Sequence, residues 1–262
     1  MASFHLSKWY ADVVDPTTGY LAICYDSHLR WGKLAVHFTN LLCFRPPDFR
    51  QTAASFVQES RAELNSDETT FTLRQGRLHG SWQQRAPALR ELLLETAHGS
   101  VLWECFFPAA TARLVIDGIA HIGLGYVERL TLTIVPWQLP LQALRWGRFL
   151  APDQYVVWIR WEGAEPRHLV FYNGQRYADT GSIGDDGLVF GEHELAFTEK
   201  YSLRAGAVGS TVFKRFPWFR KLFPARILYL DEAKWWSRGT LTKGGKAVAT
   251  GQVVHERVEW PS

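Results

Sequence analysis

The run from His121 to Phe149 constrains the fold more than any other part of the chain, because side-chain character along it alternates with a period of two. Ile122, Leu124, Tyr126, Leu130, Leu132 and Ile134 fall on one face of an extended chain, and Arg129, Thr131 and Thr133 fall on the other. Glu128 shares the phase of Tyr126 and Leu130. A carboxyl group in that company is paired, protonated or put to use. Either it meets a buried arginine, or it lines an apolar cavity as an acid or base. Gly123 and Gly125 occupy the opposite face, where they leave room for a bend or a close backbone approach.

The rest of the chain repeats this manner. Asp15–Gly19 turns the run from Trp9 to Val14 into Tyr20–Trp31; after Gly32 the chain goes out again until Pro46-Pro47. Residues 48–66 leave a short helix and a strand plus loop both open. Gly76 centres a hairpin, Ala88–Thr96 is a strand or a short helix, and Ser100–Phe107 and Thr111–Gly118 are strands joined at Pro108. In the second half Ala143–Leu150, Gln154–Gly163 and Arg167–Tyr172 lead to an Asn173-Gly174 hairpin signal. Ile227–Gly239 and Lys246–Trp260 close the chain around Lys243-Gly244-Gly245. Leu29-Arg30-Trp31-Gly32 recurs as Leu144-Arg145-Trp146-Gly147, a little under half the chain later, which suits two similar β domains.

With 262 residues, 47% hydrophobic and 21% charged, the chain has the composition of a folded protein of one large or two ordinary domains. Aromatic residues make up 14%, including 12 Trp, which points to an aromatic-lined cavity or to thick sandwich cores. A net charge of +3, dispersed along the chain, gives no basis for nucleic-acid binding. Cys24, Cys43 and Cys105 are odd in number and lack CxxC spacing, so a reducing compartment is expected. The N-terminus has no signal-peptide pattern and no run is long enough for a membrane span, so the protein is expected to be cytoplasmic.

Named catalytic motifs are missing: there is no Gly-x-Ser-x-Gly elbow, phosphate loop, dinucleotide fingerprint or zinc-type histidine pair. No metal or nucleotide cofactor is expected. The nine histidines are scattered, and Glu192-His193-Glu194 reads as a solvated loop. What remains is a set of ionisable residues inside apolar strands: Asp12, Asp26, Glu104, Glu128, Glu232 and Glu256. Taken singly, each reads best as a structural pair partner. Residues 211–226 interleave Phe213, Phe216 and Phe219 with Lys214, Arg215, Arg220, Lys221 and Arg226 and contain no acid. Within it, 213–223 reads as a gate or membrane-facing lid, or as a cap that plugs a barrel end.

The segment GLGYVERLTLTIVPWQLPLQALRWGRF, with WYADVVDPTTGYLAICYDSHLRWG before it and YVVWIRWEG after it, resembles the hydroxyneurosporene synthase (carotenoid 1,2-hydratase) and tocopherol cyclase-like group. The likeness covers the middle third of the chain and rests on a Gly-x-Gly-Tyr-x-acid strand followed by a Trp-bearing segment. Where that group commonly has a polar run with Asn or His and then Gly, this chain has Glu128-Arg129-Leu130-Thr131. The resemblance implies two antiparallel lipocalin-like barrels or half-barrels in tandem, residues 1–135 and 136–262, with little helix. It also implies hydration or cyclisation of an apolar isoprenoid- or polyketide-like polyene without a cofactor. Glu128, Tyr126 and Glu104 are then the expected catalytic residues, with Glu128 kept neutral by apolar surroundings. Trp137, Trp146, Trp158, Trp161, Trp31 and Trp103 are the expected walls that stabilise a cation. The rival expectation is a lipocalin-like carrier that binds a hydrophobic molecule and does no chemistry.

Overall fold

The computed structural model describes residues 3–47, 49–56, 59–177, 180–211 and 223–261. The chain forms two compact units, Met1–Val135 and Pro136–Ser262.

Unit 1 contains β1 (Phe4–Val14), β2 (Leu21–Trp31), β3 (Leu34–Arg45), β4 (Phe49–Ser55), β5 (Ser60–Leu64), β6 (Thr70–Gln75), β7 (Leu78–Gln84), β8 (Leu89–Thr96), β9 (Gly99–Ile116) and β10 (Ile119–Leu132). They pair antiparallel in the order β4-β3-β2-β1-β10-β9-β7-β6-β5, with β8 beside β9. Unit 2 contains β11 (Leu141–Leu150), β12 (Tyr155–Gly163), β13 (Arg167–Tyr172), β14 (Gln175–Tyr177), β15 (Thr180–Ile183), β16 (Gly187–Phe190), β17 (His193–Ala207), β18 (Asp231–Lys243) and β19 (Lys246–Glu259). Their order is β14-β13-β12-β11-β19-β18-β17-β16-β15. The two orders are the same, with β7 and β8 together standing where β17 stands. Among the described residues helix is confined to a 3-10 turn at Pro136–Gln138 and single turns α1 (Val208–Thr211) and α2 (Ala225–Leu228). The fold is therefore all-β and lipocalin-like, two antiparallel sheets in tandem.

Each sheet curls until side chains join its far strands. In unit 1 Ser60 on β5 donates to Asp26 Oδ2 on β2 at 2.8 Å, and Gln75 on β6 donates to the Tyr25 carbonyl at 2.8 Å. In unit 2 Arg160 on β12 donates to the Ile183 carbonyl on β15 at 2.8 Å, while Arg145 and Arg257 both reach Asp185 just beyond β15. Burial alone would raise the Asp185 carboxyl; its bond to Arg145 and the charges of Arg145, Arg257 and Lys200 hold it below its ordinary value.

The core of unit 1 is built on Trp9, Ala11, Val13, Cys24, Phe71, Trp82, Phe107, Ala112 and Val127. The barrel interior thus takes the phase of Val127, and the phase of Tyr126 and Glu128 faces the other way, where Tyr126 is also buried. Gly125 explains the choice. Trp82 lies directly on its Cα, with its indole N–H donated to the Asp12 carbonyl at 2.6 Å, a volume that any side chain at 125 would occupy.

Several local expectations are corrected. Ser100–Phe107 and Thr111–Gly118 are one strand, β9, that runs through Pro108. The partner along that edge changes there, from β7 at Ala110 to β8 at Cys105, so a residue without an N–H breaks no bond of the ladder. Two readings left open by the sequence are decided in favour of strand: residues 48–66 contain β4 and β5, and Leu89–Thr96 is β8. Ile227 and Leu228 belong to α2, and β18 begins only at Asp231. His193 starts β17 and is buried, its ring stacked on Phe190 at 5.1 Å, so it is not in a solvated loop. The Leu-Arg-Trp-Gly echo does not mark the repeated topology, since its first copy ends β2 and its second lies inside β11. The proposed lid at 213–223 lies outside the described residues but for Phe223. Arg226, beyond it, donates to the carbonyls of Trp137, Leu139 and Leu141 and ties α2 to the 3-10 turn.

Gly125→Ala would place a methyl 2.5 Å from Trp82 Cδ1 and 2.6 Å from Ala112 Cβ. Urea denaturation of this variant should show a loss of about 1–3 kcal/mol.

His255 sits inside unit 2 against Phe197 and Trp235, with Nε2 3.1 Å from Ser237 Oγ. Burial, reinforced by the charges of Lys200 and Lys234 and opposed by Asp185 and Asp186, pushes its pKa down to about 3. The unfolded chain, with a histidine pKa near 6.5, binds the proton first as pH falls. The stability tied to this group is therefore complete above about pH 6.5 and is lost as pH falls towards 3. Between pH 7 and pH 5 it should cost about 2 kcal/mol. Denaturation curves at those two pH values should show that loss, and His255→Gln should flatten it.

Candidate active site

The site expected around Glu128 is built by three adjacent strands of unit 1. The β1–β10 register sets Tyr10 opposite Glu128 and Asp12 opposite Tyr126, and the β9–β10 register sets Cys105 opposite Glu128. Cross-strand partners share a face, so tyrosines and acids alternate as on a checkerboard. Each tyrosine donates to the acid two residues along its own strand. Tyr10 Oη–H reaches Asp12 Oδ2 at 2.8 Å, and Tyr126 Oη–H reaches Glu128 Oε2 at 2.6 Å. Trp103 Nε1–H converges on the same Oε2 at 2.6 Å. The rings of Tyr10 and Tyr126 meet edge to face at 5.8 Å. Asp12, Tyr126 and Cys105 have no accessible surface, and Glu128 is half-buried.

The donors around Glu128 are fixed as donors. Burial raises Tyr126 well above pKa 10, the neighbouring Cys105 and Glu128 raise it further, and the phenol keeps its proton. Burial likewise lifts the Cys105 thiol well above its ordinary value, helped by Glu128 and Asp12 and only partly offset by its bond with Tyr126. The Trp103 indole can donate and cannot accept. Proton exchange in this cluster therefore falls to its carboxyl groups.

Unit 2 provides an internal comparison. Trp146 stands opposite Glu256 as Tyr10 stands opposite Glu128, and Lys234 stands opposite Glu256 where unit 1 has Cys105. Buried Lys234 forms an ion pair with Glu256, and its ammonium lies 5.3 Å from the Trp146 ring centre. Next along β18, Glu232 pairs with Arg204 at 2.6 Å. The same lattice point thus holds an ion pair in unit 2, and a carboxyl fed by a phenol and an indole in unit 1.

The other expected residues fall elsewhere. Glu104 points to the opposite face from Cys105 and is held by Arg129 at 2.7 Å and Arg90 at 2.6 Å. The Arg129 guanidinium also covers the Trp9 and Phe106 rings at 5.1 and 5.2 Å. Trp31 is half-buried at the end of β2. In unit 2, Trp158 is part of the barrel core, stacked on Phe197 at 5.6 Å, while Trp161 is buried on the other face of β12. Trp146 is buried on β11, and half-buried Trp137 in the 3-10 turn meets Phe223 edge to face at 6.4 Å. Trp103 donates its indole N–H to Glu128.

Among the described residues, open pockets include one in each unit. One of about 540 Å³ in unit 1 is lined by Trp9, Leu64, Thr70, Thr72 and Arg129, on the Arg129 face of β10 and not on the Glu128 face. One of about 830 Å³ in unit 2 is lined by Leu141, Arg226, Tyr229 and Trp260. Sequence reasoning missed Tyr10 and Cys105 and held Asp12 only as one acid among several. A signal was present: Tyr10-Ala11-Asp12 and Tyr126-Val127-Glu128 share a Tyr-x-acid pattern.

No protein-family profile and no curated protein sequence matches the chain. Solved structures do match. CghA, crystallised with Sch210972, superposes with a TM-score of 0.64 at 12% identity, covering 98% of this chain and 88% of that one. Kievitone hydratase from Nectria haematococca gives 0.57 at 9% identity, with 97% and 88% covered. The AttH-like protein NE1406 from Nitrosomonas europaea gives 0.56 at 9% identity, with 97% and 92% covered. At such identities the shared property is the fold, and over nearly its whole length this chain has the lipocalin-like fold of these three proteins.

Proposed function

We propose that the chain is an enzyme that hydrates or cyclises an apolar, isoprenoid- or polyketide-like polyene without a cofactor, with Glu128 as the proton-exchanging group. The observation that carries the reading is the convergence of Tyr126 and Trp103 on one oxygen of Glu128. Two neutral donors fix the carboxyl in orientation, as acid–base catalysis requires. In hydration the carboxyl delivers its proton to one alkene carbon and the π electrons form the new C–H bond. Water then adds to the cationic carbon and loses a proton to the carboxylate, so one water is gained and the acid is restored. In cyclisation a second double bond attacks the cation, a C–C bond forms, and proton loss to the carboxylate leaves an isomer. The buried Tyr126 and Trp103 hold the carboxyl from below, and half-buried Glu128 is the group of the cluster that reaches the surface. Asp12, bonded to Tyr10, is the second carboxyl of the cluster. Glu104, with both oxygens engaged by arginines, is assigned to holding Arg129.

The names of two similarly folded proteins support this reading: one is a hydratase, and the other is seen with the small molecule Sch210972. Cys24, Cys43 and Cys105 are buried and form no disulfide, which is consistent with a cytoplasmic enzyme. The carrier reading is favoured by a different feature, the open pocket against Trp9 and Arg129, where a ligand would be held away from Glu128.

The test is to incubate the purified protein with a panel of linear polyenes and follow products by mass spectrometry and binding by tryptophan fluorescence. A product heavier by one water, or an isomer with altered retention, is expected. Glu128→Gln should keep binding and melting temperature while lowering turnover by at least about 100-fold. Tyr126→Phe should lower it less. Binding without product in the wild type establishes the carrier reading, and unchanged turnover in Glu128→Gln removes Glu128 from the mechanism.

A further inference from the structure

The nine histidines look scattered in sequence, yet pairing of β2 with β3 places His28 directly opposite His37, and Asp26 lies two residues before His28 on the same face. The outcome is a compact donor set. Asp26 Oδ1 lies 2.7 Å from His37 Nε2 and 3.2 Å from His28 Nε2, and the three donor atoms all fall within 4.8 Å of one another. The imidazole rings are stacked at 4.2 Å with an interplanar angle of 12°, so both present Nε2 to the same point. Asp26 has no accessible side-chain surface, whereas the His28 side chain is 54% exposed and gives the group a route to solvent.

We propose that Asp26, His28 and His37 form a binding site for a Zn²⁺-type divalent ion, with a fourth position open to water on the His28 side. Two imidazoles and a carboxylate are a donor set for zinc. With metal–ligand bonds of about 2.0–2.1 Å, tetrahedral ligand atoms stand about 3.3–3.4 Å apart. The His28 contact already has that length, and the His37 contact needs to open by roughly 0.6 Å. Ser60 fixes the carboxylate from behind by donating to Oδ2 at 2.8 Å, leaving Oδ1 towards the histidines. Such outer hydrogen bonds are what orient ligating carboxylates. The hydroxyl is bonded to the carboxylate and not to an imidazole, so the group is not a Ser-His-Asp nucleophile. The inference departs from the sequence-based expectation of no metal. It is independent of Glu128, and it concerns the mouth of the unit 1 barrel, one strand from Trp9.

Tag-free protein stripped with chelator would be titrated with Zn²⁺ by calorimetry and with Co²⁺ by visible absorption. One ion per chain is expected. His28→Ala and His37→Ala should each weaken uptake at least tenfold and abolish the Co²⁺ band, and Ser60→Ala should weaken it about tenfold. His98→Ala, on an exposed turn, should change nothing. Asp26 also closes the sheet, so the decisive variant is at exposed His28, with an unchanged melting curve as the check on folding. Absence of saturable uptake, or uptake of the same strength in both histidine variants, overturns the assignment.

Discussion

A curved antiparallel sheet ends in two edges whose backbone groups need partners, and this protein brings its distant strands together with buried and half-buried polar side chains. The device occupies equivalent positions in the two units. Asp26 stands opposite Trp9 in the β1–β2 pair as Arg160 stands opposite Arg145 in the β11–β12 pair. One is an anion that accepts from Ser60; the other is a cation that donates to the Ile183 carbonyl. The charge is reversed and the geometric task is the same. Burying a charge for this purpose demands full satisfaction of its bonding capacity, and so a second layer of polar groups gathers at each mouth. In unit 1 that layer is the two histidines; in unit 2 it is the set of arginines around Asp185.

Curling also gives each sheet two unlike faces. The inner face is apolar, and its strands approach closely where glycine permits, as at Gly125 beneath Trp82. The other face of β1, β9 and β10 is buried as well, though not with hydrocarbon: it holds two phenols, two carboxyls, an indole and a thiol in fixed register. Its counterpart in unit 2 is neutralised by an ion pair between Lys234 and Glu256. Where unit 2 has Lys234 opposite Glu256, unit 1 has Cys105 opposite Glu128, whose carboxyl accepts from Tyr126 and Trp103. Duplicated topology makes that difference legible, because the glutamate and the strand pairing around it are shared while the side chains facing it differ.

Strand content was readable from the sequence because period-two alternation and Gly, Pro and Asn-Gly punctuation are local signals. Glu128 and Tyr126 stood out for the same reason. What was not legible depended on pairing between residues far apart in the chain. Nothing near Tyr10 announces that it will lie opposite Glu128, and nothing near His28 announces His37 beyond the hairpin at Gly32. The barrel interior was likewise hidden, since an alternating strand buried on both faces offers two apolar-looking phases, and only Trp82 settles which one faces inward. Glu104 was singled out by the company it keeps on its strand, but its neighbours Trp103 and Cys105 face the other way.

The handover at Pro108 has a further effect on the strand that carries Trp103 and Cys105. Residues 101–105 of β9 are paired along one edge with β10 and along the other with β8. In unit 2 the matching position of β17 is interrupted by an irregularity between Thr198 and Tyr201, with Glu199 at a positive φ. Both units therefore tolerate a defect at this point of the edge and resume pairing beyond it. For unit 1 the resumed pairing holds the backbone under Trp103 and Cys105 from both sides, so opening it means breaking two ladders at once. Orientation of the indole towards Glu128 then rests on a main chain with little freedom to move, and no ligand has to supply the energy to hold it there.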